Sequence, residues 1–183
     1  MIQVRCRCGT VQGEVDPARP YARVTCYCRD CRAYAQWLGA AGLLDAAGGT
    51  DIVATAPSRL RFRTGEAEIA CATISGRIHR WYAACCRTPL GNTPRDHRVH
   101  YVGLCTACLA PTEAVDAAFG PADRCVVNAD SATSPVRPTR LAFIGAGLGV
   151  MTGIFGARLR GQRSSPFYDE TTGAPIRAPE RIA

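Results

Sequence analysis

The sequence contains no lysine, and all 22 of its basic residues are arginine. Together with the many alanines, this composition reflects a GC-rich coding background more than a functional demand.

No run of five basic residues occurs, and aromatic residues make up only 7% of the chain. Nucleic-acid-binding proteins usually concentrate basic and aromatic side chains on one face. The net charge of +7 permits attraction to acidic partners, but it predicts a mostly solvated basic surface without a dedicated nucleic-acid site.

An apolar leader segment is also missing, because the chain opens on the polar stretch Met1 to Arg5. Export is therefore not expected, and the sequence predicts a cytoplasmic protein. In a reducing compartment, 11 cysteines indicate metal or redox chemistry and not a disulfide framework. The apolar fraction of 47% and the charged fraction of 20% are typical of a folded globular chain.

Three thiols lie within six residues, at Cys26, Cys28 and Cys31. Thiolates this close together repel one another unless a cation lies between them, and zinc is the metal that such a set favours. Three protein ligands leave a fourth position for water or a substrate atom, as in catalytic zinc sites. The sequence therefore predicts an open zinc site here.

A second, incomplete site is predicted from two further cysteine pairs. Cys6 and Cys8 need partners from elsewhere, and Cys85 and Cys86 are the obvious source. Adjacent cysteines usually point to opposite sides, so only one of the latter two is expected to bind easily.

The remaining four cysteines are interpreted as small buried apolar residues. Cys71 and Cys125 fit this reading directly. The C-x-x-C pair of Cys105 and Cys108 leaves three alternatives: a redox pair, a spare ligand pair or core residues. The core interpretation is favoured, because the sequence context typical of thioredoxin-like motifs is absent.

These cysteines carry a resemblance to a known family over roughly residues 3–105. The sequence resembles the glutathione-dependent formaldehyde-activating enzyme (GFA) family, which includes centromere protein V-like domains. That family reads C-x-C-G-x-V, then C-x-C-x-x-C-R, then an aromatic-Cys-x-x-Cys-Gly-x-x-Leu knuckle. The matching segments here are Cys6-Arg7-Cys8-Gly9-Thr10-Val11, Cys26-Tyr27-Cys28-Arg29-Asp30-Cys31-Arg32 and Tyr82-Ala83-Ala84-Cys85-Cys86-Arg87-Thr88-Pro89-Leu90.

The resemblance implies a small zinc-binding β fold of the β-tent type with two metal sites. One would be structural, and the open site would take the sulfur of a glutathione adduct for carbon–sulfur bond formation or cleavage. This chain departs from the family at two positions, with Ala83 in place of the first knuckle cysteine and Arg87 in place of glycine. The structural site then keeps Cys6, Cys8 and Cys86, with Cys85 as a displaced fourth ligand. Either a shifted geometry holds that zinc, or this chain has lost it.

Other polar residues are weaker candidates. Arg29 and Arg32 lie beside the three-cysteine motif, and their guanidinium groups suit the carboxylates of an anionic thiol such as glutathione. Exposed loop arginines are the alternative. His79, His97 and His100 are interpreted as surface or hydrogen-bonded residues more readily than as metal ligands.

The fold is predicted to be mainly β with a C-terminal helical and extended extension. The predicted divisions are a zinc-binding β domain over 1–110, a helix and connector over 111–130, and a linker, apolar helix and extended tail packed on the domain over 131–183. Alternating or apolar segments predict the strands, at 10–15, 21–25, 59–63, 66–73, 77–82 and 99–104. Residues 33–44 are read as a helical turn or a strand. A helix is expected from Pro111 to Phe119, with Thr112 as its cap.

The segment from Leu141 to Ala157 is uncharged and repeats glycine at Gly145, Gly149 and Gly153. On a helix this spacing places the glycines on one face, where a neighbour can approach closely. Seventeen residues reach only about 25 Å, against about 30 Å of membrane hydrocarbon. We therefore expect a segment buried against the domain, or against a second copy in a homo-oligomer, in preference to membrane insertion.

The sequence thus predicts a cytoplasmic zinc protein, and its resemblance to the GFA family implies carbon–sulfur lyase activity on a glutathione or other small thiol adduct. A non-catalytic, zinc-stabilised binding or scaffold module is the alternative. A membrane-anchored adaptor is a third reading, and it depends wholly on residues 141–157.

Overall fold

Short strands form two β-sheets in the computed structural model, which describes residues 1–182. A four-stranded sheet has the order β10-β1-β2-β5, from β1 (Ile2–Arg5), β2 (Gln12–Val15), β5 (Leu60–Thr64) and β10 (Leu109–Ala110). An eight-stranded sheet has the order β11-β3-β4-β9-β8-β7-β6-β12. Its strands are β3 (Ala22–Cys26), β4 (Thr50–Thr55), β6 (Ile69–Thr73), β7 (Ile78–Ala83), β8 (Thr88–Pro94), β9 (Val102–Cys105), β11 (Val126–Val127) and β12 (Glu180–Arg181).

Period-two alternation is visible in the short strands of the smaller sheet. In β1 and β2 every second side chain is buried, including Val4 and Val15, because successive strand residues face opposite sides. The strands predicted at 66–73 and 77–82 are present as β6 and β7, which pair antiparallel, and Gly76 between them takes a positive φ of 74° that suits glycine.

Three helices complete the fold: α1 (Arg29–Trp37), α2 (Thr112–Phe119) and α3 (Arg140–Leu159). Residues 33–44 are not a strand; they form most of α1 and a short 3₁₀ turn at Ala41–Leu43. The prediction that Thr112 caps α2 is wrong, because Pro111 holds the cap position and Thr112 is the first helical residue.

The main core lies between the two sheets. Val4 and Val15 from the smaller sheet join Trp81 and Leu104 from the larger one in a single buried cluster. Residues beyond 110 join it as well, at Val115, Phe167 and Tyr168. The tail therefore supplies part of this core and does not merely lie over the surface.

Two parallel pairings fasten later segments to the edges of the larger sheet. β11 pairs with β3, and β12 pairs with β6 at the opposite edge. The amide of Ile182 also donates to the Thr73 carbonyl at 2.9 Å, and the Ile182 side chain is buried. The prediction of a mainly β fold with a C-terminal helical and extended part is confirmed.

The apolar segment 141–157 is helical, within the longer α3. Within the single chain the domain covers only its inner side, and Ala157 is its only buried residue among the described ones. The helix touches β3, β4 and β11 along one side and leaves its other side free of contacts with the domain. Its 20 residues and mean hydropathy of 1.5 make it long and apolar enough to cross a membrane, by length and composition.

Candidate metal centres

Cys26, Cys28 and Cys31 come together where β3 runs into α1. Cys26 ends the strand, Cys28 precedes the helix, and Cys31 lies in the first helical turn. Their sulfur atoms all lie within 4.8 Å of one another, and Sγ of Cys26 is 3.9 Å from Sγ of Cys31. The amide of Cys31 donates to Sγ of Cys28 at 3.3 Å, so the helix start also favours negative charge on these sulfurs.

The protonation of these thiols shows why a cation suits the cluster. Hydrogen bonds from Cys28 and Cys31 lower the pKa of Cys26 to about 2. The interaction with Cys26 in turn raises the pKa of Cys28 and of Cys31. One thiolate therefore suppresses ionisation of its two neighbours, and a divalent metal bound by all three removes this conflict.

Arg80 is the cation beside this cluster, and the sequence interpretation missed it. It projects from the middle of β7 with its side chain only 5% exposed, and its Nη1 lies 3.8 Å from Sγ of Cys31. Asp30 lies 3.8 Å from the same guanidinium group, and the ring of Tyr34 stacks against it at 5.3 Å. A charged residue inside β7, a strand otherwise made of apolar and aromatic residues and His79, was the available sequence signal.

A second polar neighbour of the cluster comes from the β11 segment. Nδ2 of Asn128 donates to Sγ of Cys26 at 3.4 Å. Of the two arginines predicted to bind substrate, Arg32 donates to the carbonyl of Ser131 at 2.9 Å, and Arg29 is exposed at the start of α1. The arginine that contacts the sulfurs is Arg80.

Two depressions border the three-cysteine cluster, and Cys31 and Arg80 line both. A cavity of about 220 Å³ has mixed walls that include Tyr34, Leu44 and Thr50. A recess of about 440 Å³ is also lined by Cys28. Thr50 lines this cavity, and its buried Oγ1 atom has no hydrogen-bond partner within residues 1–182.

Cys6, Cys8, Cys85 and Cys86 form a second cluster, with all four sulfur atoms within 4.8 Å of one another. The distances between sulfur atoms include 3.5 Å for Cys6–Cys8, 3.9 Å for Cys6–Cys85, 3.4 Å for Cys8–Cys85 and 3.9 Å for Cys85–Cys86. At a Zn–S distance of about 2.3 Å, the sulfurs of a tetrahedral site are about 3.8 Å apart. The four thiols fit one tetrahedral metal, and both adjacent cysteines face it, contrary to our expectation.

This cluster joins the two sheets, because Cys6 and Cys8 follow β1 and the other two cysteines lie between β7 and β8. Arg7 links the same turns, with its amide 3.0 Å from Oγ1 of Thr88 and its Nη2 2.9 Å from the carbonyl of Cys86. The amide of Val11 donates to Sγ of Cys6 at 3.2 Å. A metal at this point would hold the edges of both sheets together.

Ala83 and Arg87, the two positions at which the sequence differs from the GFA knuckle pattern, have distinct local environments. Ala83 is fully buried within β7, so its side chain packs in the core. Arg87 has a positive φ of 55°, a conformation in which glycine is unstrained. Its guanidinium group lies 4.6 Å from the centre of the Trp37 ring and donates to the Trp37 carbonyl at 2.6 Å.

The other cysteines and the histidines lie apart from both clusters. Cys71, Cys105, Cys108 and Cys125 are all buried free thiols, which confirms the core interpretation. His79 bonds the hydroxyl of Tyr168 at 2.9 Å, and His100 bonds Oγ of Ser58 at 3.1 Å. No histidine belongs to a metal-ligating group among the described residues.

Comparison with known proteins assigns the chain to a family. Residues 1–169 match DUF6151, described as a family of unknown function, and the chain belongs to that family. No functionally curated protein matches it. A crystal structure of a Rhodobacter sphaeroides protein, a structural-genomics target, is similar with 18% sequence identity and a TM-score of 0.43, over 62% of this chain and 94% of that one.

Proposed function

We propose that this member of the DUF6151 family is a zinc protein with one structural and one functional site, and that the functional site makes or breaks carbon–sulfur bonds in a thiol adduct. Cys6, Cys8, Cys85 and Cys86 would hold the structural metal. Cys26, Cys28 and Cys31 would hold the functional one. When bound there, zinc supplies a Lewis acid that keeps a substrate sulfur in its thiolate form.

One observation carries this proposal: a three-thiol set, with room for a fourth ligand, borders two depressions that share a buried arginine. A structural zinc is normally enclosed by four protein ligands, whereas catalytic sites keep a position open. The four-cysteine cluster has the closed donor set and the three-cysteine cluster has the open one. The two sites therefore differ in the number of protein ligands, four against three, which is the feature that distinguishes structural from catalytic zinc sites.

Arg80 has two roles in this scheme. Three thiolates around a divalent cation carry one net negative charge, and the buried guanidinium group of Arg80 balances it. The same group faces both depressions, where it can pair with a carboxylate or an oxyanion of the substrate.

The sizes of the two depressions indicate how an adduct would be divided between them. The cavity of about 220 Å³ is below the range of about 300–1,000 Å³ that is usual for drug-sized ligands, so it suits a small carbon fragment. The recess of about 440 Å³ suits the larger thiol portion. The resemblance of the cysteine motifs to the GFA family, whose members act on glutathione adducts, supports the same substrate class.

The test combines metal counting with an exchange assay. We expect the wild type to bind two equivalents of zinc, and Cys28→Ser to lose one with little change in melting temperature. Cys125→Ala, which removes a buried thiol outside both clusters, should keep two equivalents of zinc.

NMR exchange spectroscopy of glutathione mixed with formaldehyde should show faster interconversion of free and hydroxymethylated thiol with the wild type than with Cys28→Ser.

Two results would count against this assignment. If zinc-loaded wild type leaves the exchange rate unchanged, the lyase function is wrong for this adduct class. If Cys28→Ser also unfolds when it loses its metal, the three-cysteine site is structural, and a zinc-stabilised scaffold replaces the enzyme as the conclusion.

A further inference from the structure

The outer face of α3 displays large apolar side chains to solvent. These side chains are between 54% and 86% exposed: Leu141, Phe143, Ile144, Leu148, Met151, Phe155 and Leu159. All but Phe143 follow three- and four-residue steps, which align them in one stripe along the helix. A soluble protein rarely leaves so large a contiguous apolar patch uncovered without a partner for it.

The inner face of α3 has the opposite character, because its residues are small. A Cβ atom at Gly149 would meet the backbone carbonyl of Tyr21, and one at Gly153 would meet the ring of Tyr21. The helix therefore lies against the chain at the start of β3 in a contact that glycine alone permits. Oγ1 of Thr139 also accepts from the amide of Val126 at 2.8 Å, which fixes the start of α3 to β11.

This attachment decides how α3 can meet a membrane. A helix of 20 residues is about 30 Å long and could span the hydrocarbon layer if it were free. Crossing would carry the polar edge of the attached sheet into lipid, where backbone groups find no water. A helix lying flat on the bilayer keeps its contacts with the domain and buries only its outer face.

The charge along the chain segment that contains α3 is of one sign. From Ser131 to Tyr168 the chain contains no aspartate or glutamate and carries five arginines, at positions 137, 140, 158, 160 and 163. Arg137 and Arg140 lie at the N-terminal end of the apolar stripe. The other three, at positions 158, 160 and 163, lie at its C-terminal end. Arg124 joins the first group around a shallow depression next to Leu141.

This charge pattern disfavours a second copy of the chain as the partner. Antiparallel pairing of two α3 helices would place the arginines at the start of one beside those at the end of the other. Parallel pairing would place each group beside itself. Helical pairs in water normally have opposite charges flanking their apolar seam, and α3 has none to offer.

We propose that α3 docks this protein on anionic phospholipid bilayers, lying parallel to the surface. The stripe from Leu141 to Leu159 enters the boundary between headgroups and acyl chains, to a depth of about 5–10 Å. The arginines at both ends pair with headgroup phosphates and with the negative surface potential. This surface is independent of the cysteine sites and of the function proposed for them.

Vesicle flotation of the full-length protein tests the proposal. We expect binding to vesicles of phosphatidylcholine with phosphatidylglycerol, weaker binding to pure phosphatidylcholine, and a decrease as salt rises. The triple variant Leu148→Ser, Met151→Ser, Phe155→Ser should lose at least about tenfold in affinity for these vesicles. Leu43→Ser, which changes an exposed leucine outside α3, should bind like the wild type.

Circular dichroism and zinc content should be the same in all of these proteins, because the altered side chains are exposed. Equal binding to both kinds of vesicle would overturn the role of the arginines. Absence of vesicle binding, or binding that the triple variant retains, would overturn docking through this face. If sedimentation without lipid shows a dimer that the triple variant loses, and vesicles do not bind, a second copy is the partner instead.

Discussion

The ring of Phe167 stacks on the indole of Trp81 with 4.8 Å between ring centres and 22° between their planes. Both side chains are completely buried, although the sequence from Gly161 onward is rich in glycine, proline and arginine. The tail is thus part of the same cooperative unit as the sheets.

Replacing this ring should destabilise the whole protein. Phe167→Ala removes a buried aromatic side chain, and we expect the free energy of unfolding to fall by about 3–5 kcal/mol. Urea unfolding followed by tryptophan fluorescence and by circular dichroism should give one shared transition. Leu141→Ala, at an exposed position, should change stability by less than about 0.5 kcal/mol; a similar loss in both variants would contradict the assigned role of Phe167.

The four-cysteine cluster should be required for stability. Cys85→Ser should remove one equivalent of zinc and lower the free energy of unfolding by about 4 kcal/mol or more, as loss of a structural metal does. For a chain of this size, each kcal/mol corresponds to about 2–4 °C in melting temperature. Scanning calorimetry with parallel metal analysis measures both effects. A variant that keeps its full zinc content would show that Cys85 is not a ligand.

Arg80 should control metal affinity at the three-cysteine site. Arg80→Met keeps the bulk of the side chain but leaves the metal–thiolate charge unbalanced, so zinc should bind there about 10–100-fold more weakly. Competition against a chromogenic chelator resolves the weaker of two sites. Arg32→Met is the matched control, because Arg32 contacts Ser131 instead of the sulfurs. Equal affinities in the two variants would refute this role.

Stability should decrease as the pH falls below the ordinary pKa of histidine. Burial, with a smaller contribution from Arg95, lowers the pKa of His79 below its ordinary value of 6.5. Burial likewise lowers the pKa of His100, with Arg160 contributing. Below about pH 6.5 the unfolded chain takes up more protons than the folded one, so stability is full above this pH and is lost as pH falls toward the folded values.

The contribution of His79 can be isolated by substitution. His79→Gln retains a polar partner for the Tyr168 hydroxyl and removes the titration. Urea unfolding at about pH 7.5 and about pH 5.5 should show a smaller acid loss in this variant than in the wild type. Identical losses would indicate that His79 does not contribute to the pH dependence.

Sequence reasoning worked where structure is local. The cluster of Cys26, Cys28 and Cys31 occupies one strand end and one helix turn, so spacing alone brings its sulfurs together. The alternation in Leu60–Thr64 and the hairpin at Gly76 are similarly encoded within a few residues. The glycine spacing in α3 also identified the face of closest approach, although its partner is the Tyr21 region instead of another helix.

Long-range placement could not be read from the sequence in the same way. Arg80 reaches Cys31 only because β7 lies in the same sheet as β3, and that pairing order has no local signature. Asn128 reaches Cys26 through the parallel pairing of β11 with β3. In α3 apolar residues occur on every side of the helix. The spacing of apolar residues therefore did not indicate which side faces the domain, or that the large side chains would face solvent.

The pairing of β12 with β6 determines when the larger sheet can be completed during folding. Ala72 meets Glu180, a partner more than one hundred residues later along the chain. Such contacts raise the contact order and slow folding, because a long loop must close before they form. Until that segment arrives, β6 is an open sheet edge that can recruit a strand from another molecule. A nascent or truncated chain that ends before Glu180 should therefore aggregate more readily than the full-length protein and depend more on chaperones.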